Sequence, residues 1–207
     1  MIVLEALTGT GLAASAGLNA YIPMLALGLL ARFTDAVTLP SDWEWLSNGW
    51  VLAILAVLLI VEVVADKVPV LDHVNDTVQT FIRPAAGGLV FGAGSSSETV
   101  TVSDPGHFFS SNVWVPVAVG VLIALAVHTL KAAVRVLVNT LTVGIGAPVV
   151  SAAEDATSGV MSVVAILLPV LVLLFLLGMV VLAVWLIRRR RFRKRELEAA
   201  RAAGFRV

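Results

Sequence analysis

The sequence contains no cysteine among its 207 residues, which excludes disulfides, thiol redox chemistry and cysteine-ligated metals. It also has few charges: 14% of residues are charged, against about 25% in a typical soluble domain. Hydrophobic residues make up 59% of the chain, and its mean hydropathy is +0.98. A soluble protein of this length could not cover so much apolar surface. The composition therefore predicts a membrane protein.

Sequence motifs of enzymes are also missing. The three histidines, His73, His107 and His128, lie on different predicted elements without the spacing of a metalloprotease motif. Neither a phosphate-binding loop nor a dinucleotide fingerprint occurs, and Ser15 has neither a nucleophile elbow nor an evident base. We therefore expect a protein that is not an enzyme, with no catalytic residue, bound metal or cofactor.

Long apolar runs predict an all-α fold, a polytopic helical bundle embedded in a membrane. About four long transmembrane helices are expected, within residues 2–33, 50–64, 114–139 and 157–187. Two short glycine-rich segments, Pro84–Gly94 and Thr142–Ala153, either cross the membrane or enter it as half helices. The predicted domains are a transmembrane helical domain, residues 1–187, and a basic cytoplasmic tail, residues 188–207.

The basic residues predict the orientation. Most of them follow Ile187, which places the C-terminus in the cytoplasm. The loops Thr34–Asn48 and Ser95–Ser111 carry no lysine or arginine, so both are expected outside. Six crossings with both termini cytoplasmic satisfy this pattern. The expected partner is the lipid bilayer, with the tail near anionic lipid rather than nucleic acid. A homo-oligomer is also compatible with the sequence.

An internal repeat is one interpretation of the sequence. A single offset aligns Trp50 with Trp114, Lys67 with Lys131, Asn75 with Asn139, and Pro84 with Pro148. A duplication of this kind is typical of transporters. Chance matches in a chain rich in valine and leucine are the alternative.

Ionisable residues inside apolar helices indicate a candidate site, because each costs roughly 2.5–3.5 kcal/mol to insert. Glu62 and Asp66 are four residues apart and share a helix face. His128, Lys131 and Arg135 do the same on a later helix, while Asn19 interrupts the first apolar run. The candidate pathway for a solute or ion comprises Asn19, Glu62, Asp66, Lys67, His128, Lys131 and Arg135.

Structural interpretations of the same residues remain open. The acids and bases either form a purely structural ion-pair network, or the bases extend to lipid head groups. Asp72, Asp76 and Arg83 are expected on a solvated or interfacial face. Glu154 and Asp155 are expected to cap the N-terminus of the last long helix.

Two stretches of the chain resemble a known family. The runs GLAASAGLNAYIPMLALGLLAR and EVVADKVPVLDHVNDTVQTFIRPAAGG resemble the bacterial membrane family named domain of unknown function 4126. The resemblance covers most of residues 1–187 and implies a multi-pass inner-membrane protein. It supplies no activity, substrate or catalytic residue. The residues themselves favour a small transporter or channel-like protein for an ion or small solute, with a non-transporting scaffold or lipid-interacting protein as the alternative.

Overall fold

The computed structural model describes residues 2–66, 69–102, 114–142 and 146–202, and these are almost entirely helical. The helices are α1 (Ile2–Leu18), α2 (Tyr21–Phe33), α3 (Gly49–Ala65), α4 (Pro69–Ser96), α5 (Trp114–Thr142), α6 (Ala147–Leu167) and α7 (Val172–Ala202). Short 3₁₀ helices cover Ser41–Ser47 and Pro169–Leu171. The predicted all-α class is confirmed.

Several helices are long and apolar enough to cross a membrane. Among the described residues, three helices qualify by length and composition: Trp114–Thr142, Ala147–Leu167 and Pro169–Arg189. A fourth span exists if Ser41–Ser47 and Gly49–Ala65, which meet at a bend of 58°, are taken together. Many side chains on α3 are apolar and exposed, including Trp50, Ile54 and Ile60. These features indicate a protein embedded in a membrane.

The first apolar run, residues 2–33, forms two helices. α1 ends at Leu18, Asn19 and Ala20 form the break, and α2 begins at Tyr21. α1 is buried along nearly its whole length, and it packs against α4, α5 and α6. Small residues allow this central position, since a Cβ at Gly17 would lie 2.6 Å from the carbonyl oxygen of Ala124.

The glycine-rich segment Pro84–Gly94 is not a separate short helix. It forms the second half of α4, which runs for 28 residues with Pro84 inside it. Proline removes one backbone hydrogen bond from a helix, but close packing on both sides outweighs that loss. At the crossing of α4 and α5, a Cβ at Gly120 would overlap the carbonyl oxygen of Gly87 and the Cβ of Phe91.

The boundaries near the C-terminus also differ from the prediction. The segment expected as one long run, residues 157–187, is divided: α6 ends at Leu167 and α7 starts at Val172. Leu168 precedes Pro169 and has left the helical conformation, with φ −141° and ψ 59°, as residues before proline tend to do. α6 begins at Ala147, within the second predicted glycine-bearing segment, while residues 143–145 lie outside the described part.

A small sheet joins the two loops that the sequence analysis expects outside. Strand β1 (Val37–Thr38) pairs with β2 (Glu98–Thr99) in antiparallel register, Val37 opposite Thr99 and Thr38 opposite Glu98. The described parts of both loops therefore lie at the same end of the bundle.

The chain divides into two compact units, residues 1–172 and 173–207. In the second unit, α7 exposes apolar side chains such as Leu174 and Leu177, and Arg189 lies 5.1 Å from the centre of the Trp185 ring. The domain boundary predicted at residue 187 stays a prediction.

The helix boundaries follow the internal repeat only in part. Pro84 lies inside α4, whereas its counterpart Pro148 lies in the first turn of α6. The two prolines thus occupy unlike positions, whereas Trp50 and Trp114 each lie in the first turn of a helix.

Candidate functional site

The two acids of α3 face the protein interior. The buried residues of this helix are Leu52, Leu55 and Glu62, and Asp66 follows one turn after Glu62. All four positions fall on one stripe of the helix. The exposed fractions of Glu62 and Asp66 are 2% and 4%, so both carboxylates are withdrawn from solvent and lipid.

The basic face of α5 is turned inward as well. His128, Lys131 and Arg135 are buried on the same stripe as Gly120 and Ala124, where α5 meets its neighbours. The sequence prediction that these three side chains share a face is confirmed. The alternative that Lys131 and Arg135 extend to lipid head groups is wrong, because both point into the bundle.

Arg83 is the partner of Glu62. Its Nη2 donates to Glu62 Oε1 over 2.8 Å, and its Nη1 lies 3.3 Å from His128 Nδ1. His128 Nε2 lies 3.2 Å from the hydroxyl of Thr80. The expectation that Arg83 lies on a solvated face is wrong: its side chain is fully buried because the surrounding part of α4 packs inside the bundle.

Asp66 is held by three helices. Its Oδ1 accepts from Asn75 Nδ2 at 2.7 Å, and its Oδ2 accepts from the Ser151 hydroxyl at 2.9 Å and from Arg135 Nη2 at 3.4 Å. Asp66 follows the last residue of the α3 span. Burial raises the pKa of this carboxyl, but the charges of Lys131 and Arg135 with the two hydrogen bonds outweigh burial and hold the pKa below its usual range. Asp66 is therefore ionised at neutral pH.

Glu154 joins the two bases of α5. Its Oε2 lies 3.0 Å from Lys131 Nζ and 3.1 Å from Arg135 Nη2. The expectation that Glu154 and Asp155 cap a helix N-terminus is wrong, because α6 begins at Ala147 and both acids lie two turns inside it. The misplaced helix start explains the error.

Asn19 stabilises the break between α1 and α2. Its side-chain oxygen accepts from the backbone N–H groups of Tyr21 and Ile22, at 3.0 and 3.2 Å, so it caps α2. Its amide nitrogen donates to Asp155 at 2.9 Å. Lys131 Nζ donates to the carbonyl oxygen of Leu18 at 2.8 Å, an oxygen at the end of α1. The break therefore lies directly beside the charged residues.

These contacts form two groups, and the charges of Lys131 and Asp66 in one group act on Glu62 in the other. Together the two groups are called the buried charged cluster: Glu62, Asp66, Arg83, His128, Lys131, Arg135 and Glu154. The structure brings together five of the seven predicted pathway residues in the cluster, with Asn19 next to it. Lys67 lies outside the described residues, as do the side chains of Asp72 and Asp76. Sequence reasoning missed the roles of Arg83 and Glu154. A usable signal existed for Arg83, since it is four residues from Gln79 and precedes the small-residue run of α4.

A separate cleft of about 700 Å³ lies near the joined loops. Its lining includes Arg32, Asp35 and Glu44, and it includes no residue of the buried charged cluster.

Comparison with known proteins places the chain in a family. The sequence model of the domain of unknown function DUF4126 matches residues 6–189, which is nearly the whole chain. The chain belongs to this family. The DUF4126 match spans both stretches that carry the resemblance and every residue of the buried charged cluster. No curated protein and no solved structure matches the chain.

Proposed function

We propose that this DUF4126 protein is a small membrane transporter for an ion or small solute, with the buried charged cluster as its working site. The observation that carries the proposal is the cluster itself: three acids, three bases and a histidine from α3, α4, α5 and α6 meet inside an apolar bundle. Ionisable residues at such positions are costly and usually belong to substrate or ion pathways.

The neighbouring helix break supports the same proposal. The interruption at Asn19 and Ala20 leaves backbone groups near the cluster that a continuous helix would satisfy internally. In membrane proteins, broken helices are tolerated where they line a cavity or are buried in protein, and transporters use their ends to bind charged substrates. Here one such end, the Leu18 carbonyl, already accepts a hydrogen bond from the ammonium group of Lys131.

The orientation and cellular context belong to the same proposal. The protein crosses the bacterial inner membrane six times with both termini in the cytoplasm, and the loops joined by β1 and β2 lie outside. It performs transport rather than catalysis. The basic residues after Ile187 bind anionic lipid head groups at the cytoplasmic surface.

A scaffold or lipid-interacting role is the second candidate, and one observation favours it. Each carboxylate of the buried charged cluster already has a basic partner within 3.4 Å. Buried pairs of this kind also serve to fix one arrangement of helices. The two candidates differ in whether the pairs open during function.

Flux measurements separate the candidates. The purified protein is reconstituted in liposomes, and sodium, potassium, proton and chloride fluxes and the uptake of labelled amino acids are measured. We expect flux of at least one of these solutes above that of protein-free vesicles. Lys131→Met should reduce that flux to the protein-free level, because it removes the base that joins Glu154 to the Leu18 carbonyl.

Glu98→Gln is the matched control, since Glu98 is an exposed charge on β2 and its loss should leave the flux unchanged. If no tested solute moves, and Lys131→Met lowers only the thermal stability of the protein, the scaffold role is the better explanation.

A further inference from the structure

Two buried side-chain oxygens, one on Glu62 and one on Gln79, have no hydrogen-bond partner among the residues that the structure describes. Glu62 uses Oε1 for Arg83, while its Oε2 is buried without a hydrogen bond, and so is the side-chain oxygen of Gln79. Both side chains are about 98% withdrawn from the surface, with exposed fractions of 2%. An unpartnered buried acceptor is costly, in the range of about 1–3 kcal/mol. An added hydrogen-bond donor would relieve this cost.

Gln79 and Arg83 are one turn apart on α4 and share a face, and Arg83 on this face contacts the Glu62 carboxylate. Tyr21, at the start of α2, completes the surroundings: its hydroxyl is hydrogen-bonded to the Gln79 side chain and lies within electrostatic reach of Glu62. Lys131 of α5 and Asp66 at the end of α3 are the other charges that act on Glu62. The site is thus bounded by α2, α3, α4 and α5.

We propose that Glu62 is a proton-binding site. The proton adds to Glu62 Oε2, which then donates to the side-chain oxygen of Gln79, and both unpartnered atoms are satisfied. Neutralising the carboxylate weakens its ion pair with Arg83, whose guanidinium stays charged and keeps its contact with His128. The proton comes from water, no other bond is made or broken, and the buried charged cluster becomes more positive by one charge.

A proton fits this site better than a metal cation. The guanidinium of Arg83 lies 2.8 Å from the other oxygen of the same carboxylate, so a metal ion bound to Oε2 would sit next to a fixed positive charge. Cations such as sodium also need several oxygen ligands, whereas a proton needs one donor position and one acceptor. A proton-driven change in the ion pair would couple proton movement to solute movement, and this coupling role rests on the proposed transport function. Proton binding by Glu62 itself does not depend on the proposed transport function.

Infrared difference spectroscopy of the full-length protein in detergent tests the site. The pH is lowered stepwise from mildly alkaline to mildly acid, and the carbonyl stretch of a protonated carboxyl is followed. We expect such a band with a single titration midpoint, and we expect Glu62→Gln to remove it. Asp66→Asn is the matched control and should keep the band, because both Asp66 oxygens already have donors.

Gln79→Met is a second variant that tests the same proposal if Glu62→Gln does not fold. It leaves the ion pair intact and removes the acceptor of the proposed proton, so the midpoint should fall by roughly one pH unit. A band that survives Glu62→Gln, or no band at all, would overturn the proposal. So would a midpoint that shifts with sodium or potassium concentration, since that result indicates a competing metal cation.

The flux and infrared measurements test the transport proposal and the proton-binding proposal independently. Solute flux without a Glu62 band would retain transport and reject proton binding. A Glu62 band without any flux would retain proton binding and reject transport.

Discussion

At the scale of single residues, the pairing of charges is unequal across the buried charged cluster. Asp66 has three hydrogen-bond donors spread over both oxygens, and Glu154 shares one oxygen between two bases. Glu62 has one basic partner within bonding distance on one oxygen. Because a buried ion pair is favourable only when its remaining polar atoms are satisfied, the pair of Glu62 and Arg83 is the least secure of the three.

Removing one member of that pair should be more harmful than removing both. Arg83→Met leaves the Glu62 carboxylate buried without its cation, which should lower the free energy of unfolding by about 3–5 kcal/mol. The double variant Glu62→Gln, Arg83→Met removes the charges together and should recover most of the loss. Chemical unfolding in detergent measures the free energy of unfolding of the wild type, the single variant and the double variant. Equal losses in the single and double variants would show that the ion pair contributes little.

At the scale of helices, the lengths of apolar runs predicted α3 and α5 well, and helical spacing predicted which faces of them carry charge. Tertiary packing decided the rest. The small residues of α4 allow it to continue through Pro84, because the packing gained exceeds the lost hydrogen bond. Pro169, by contrast, divides the apolar run of residues 157–187 into two helices. Whether a proline breaks a helix depends on its neighbours in space, which a single sequence does not reveal.

The crossing of α4 and α5 gives a prediction at this scale. Gly120→Leu would place a large side chain against the Gly87 backbone, where even a Cβ overlaps, and should cost roughly 1–3 kcal/mol or more. Gly178→Leu, on α7, is the control, since no described atom lies within 4 Å of a Cβ there. Thermal unfolding in detergent compares them. Similar melting temperatures for the two variants would contradict the close crossing.

At the scale of the whole molecule, the charge distribution of the sequence predicted that loops Thr34–Asn48 and Ser95–Ser111 lie on one side, and the described parts of both meet in the pairing of β1 with β2. The positions of charges in the sequence also predicted part of the buried charged cluster. Five members stood out as charges in apolar runs, whereas Arg83 and Glu154 were hidden by neighbours of mixed polarity. Their partners become visible only when distant segments come together, as with Glu154 and Lys131.

The absence of cysteine allows a direct test of the loop pairing. Thr38→Cys and Glu98→Cys occupy opposed positions in the strands, where Cα atoms are about 5 Å apart and a disulfide is feasible. Mild oxidation should cross-link this variant rapidly, and the shift on a non-reducing gel measures it. Thr38→Cys with Val100→Cys, which is out of register, is the control. Equal cross-linking of both variants would contradict the register.

The hydrogen bond from Lys131 to the Leu18 carbonyl attaches α5 to the break between α1 and α2. The same ammonium group forms an ion pair with Glu154 on α6. Asn19, in the break itself, donates a hydrogen bond to Asp155 on the same helix. A change of charge at Lys131 or Glu154 would therefore act directly on the break between α1 and α2. Lys131 therefore links the charge of Glu154 directly to the end of α1.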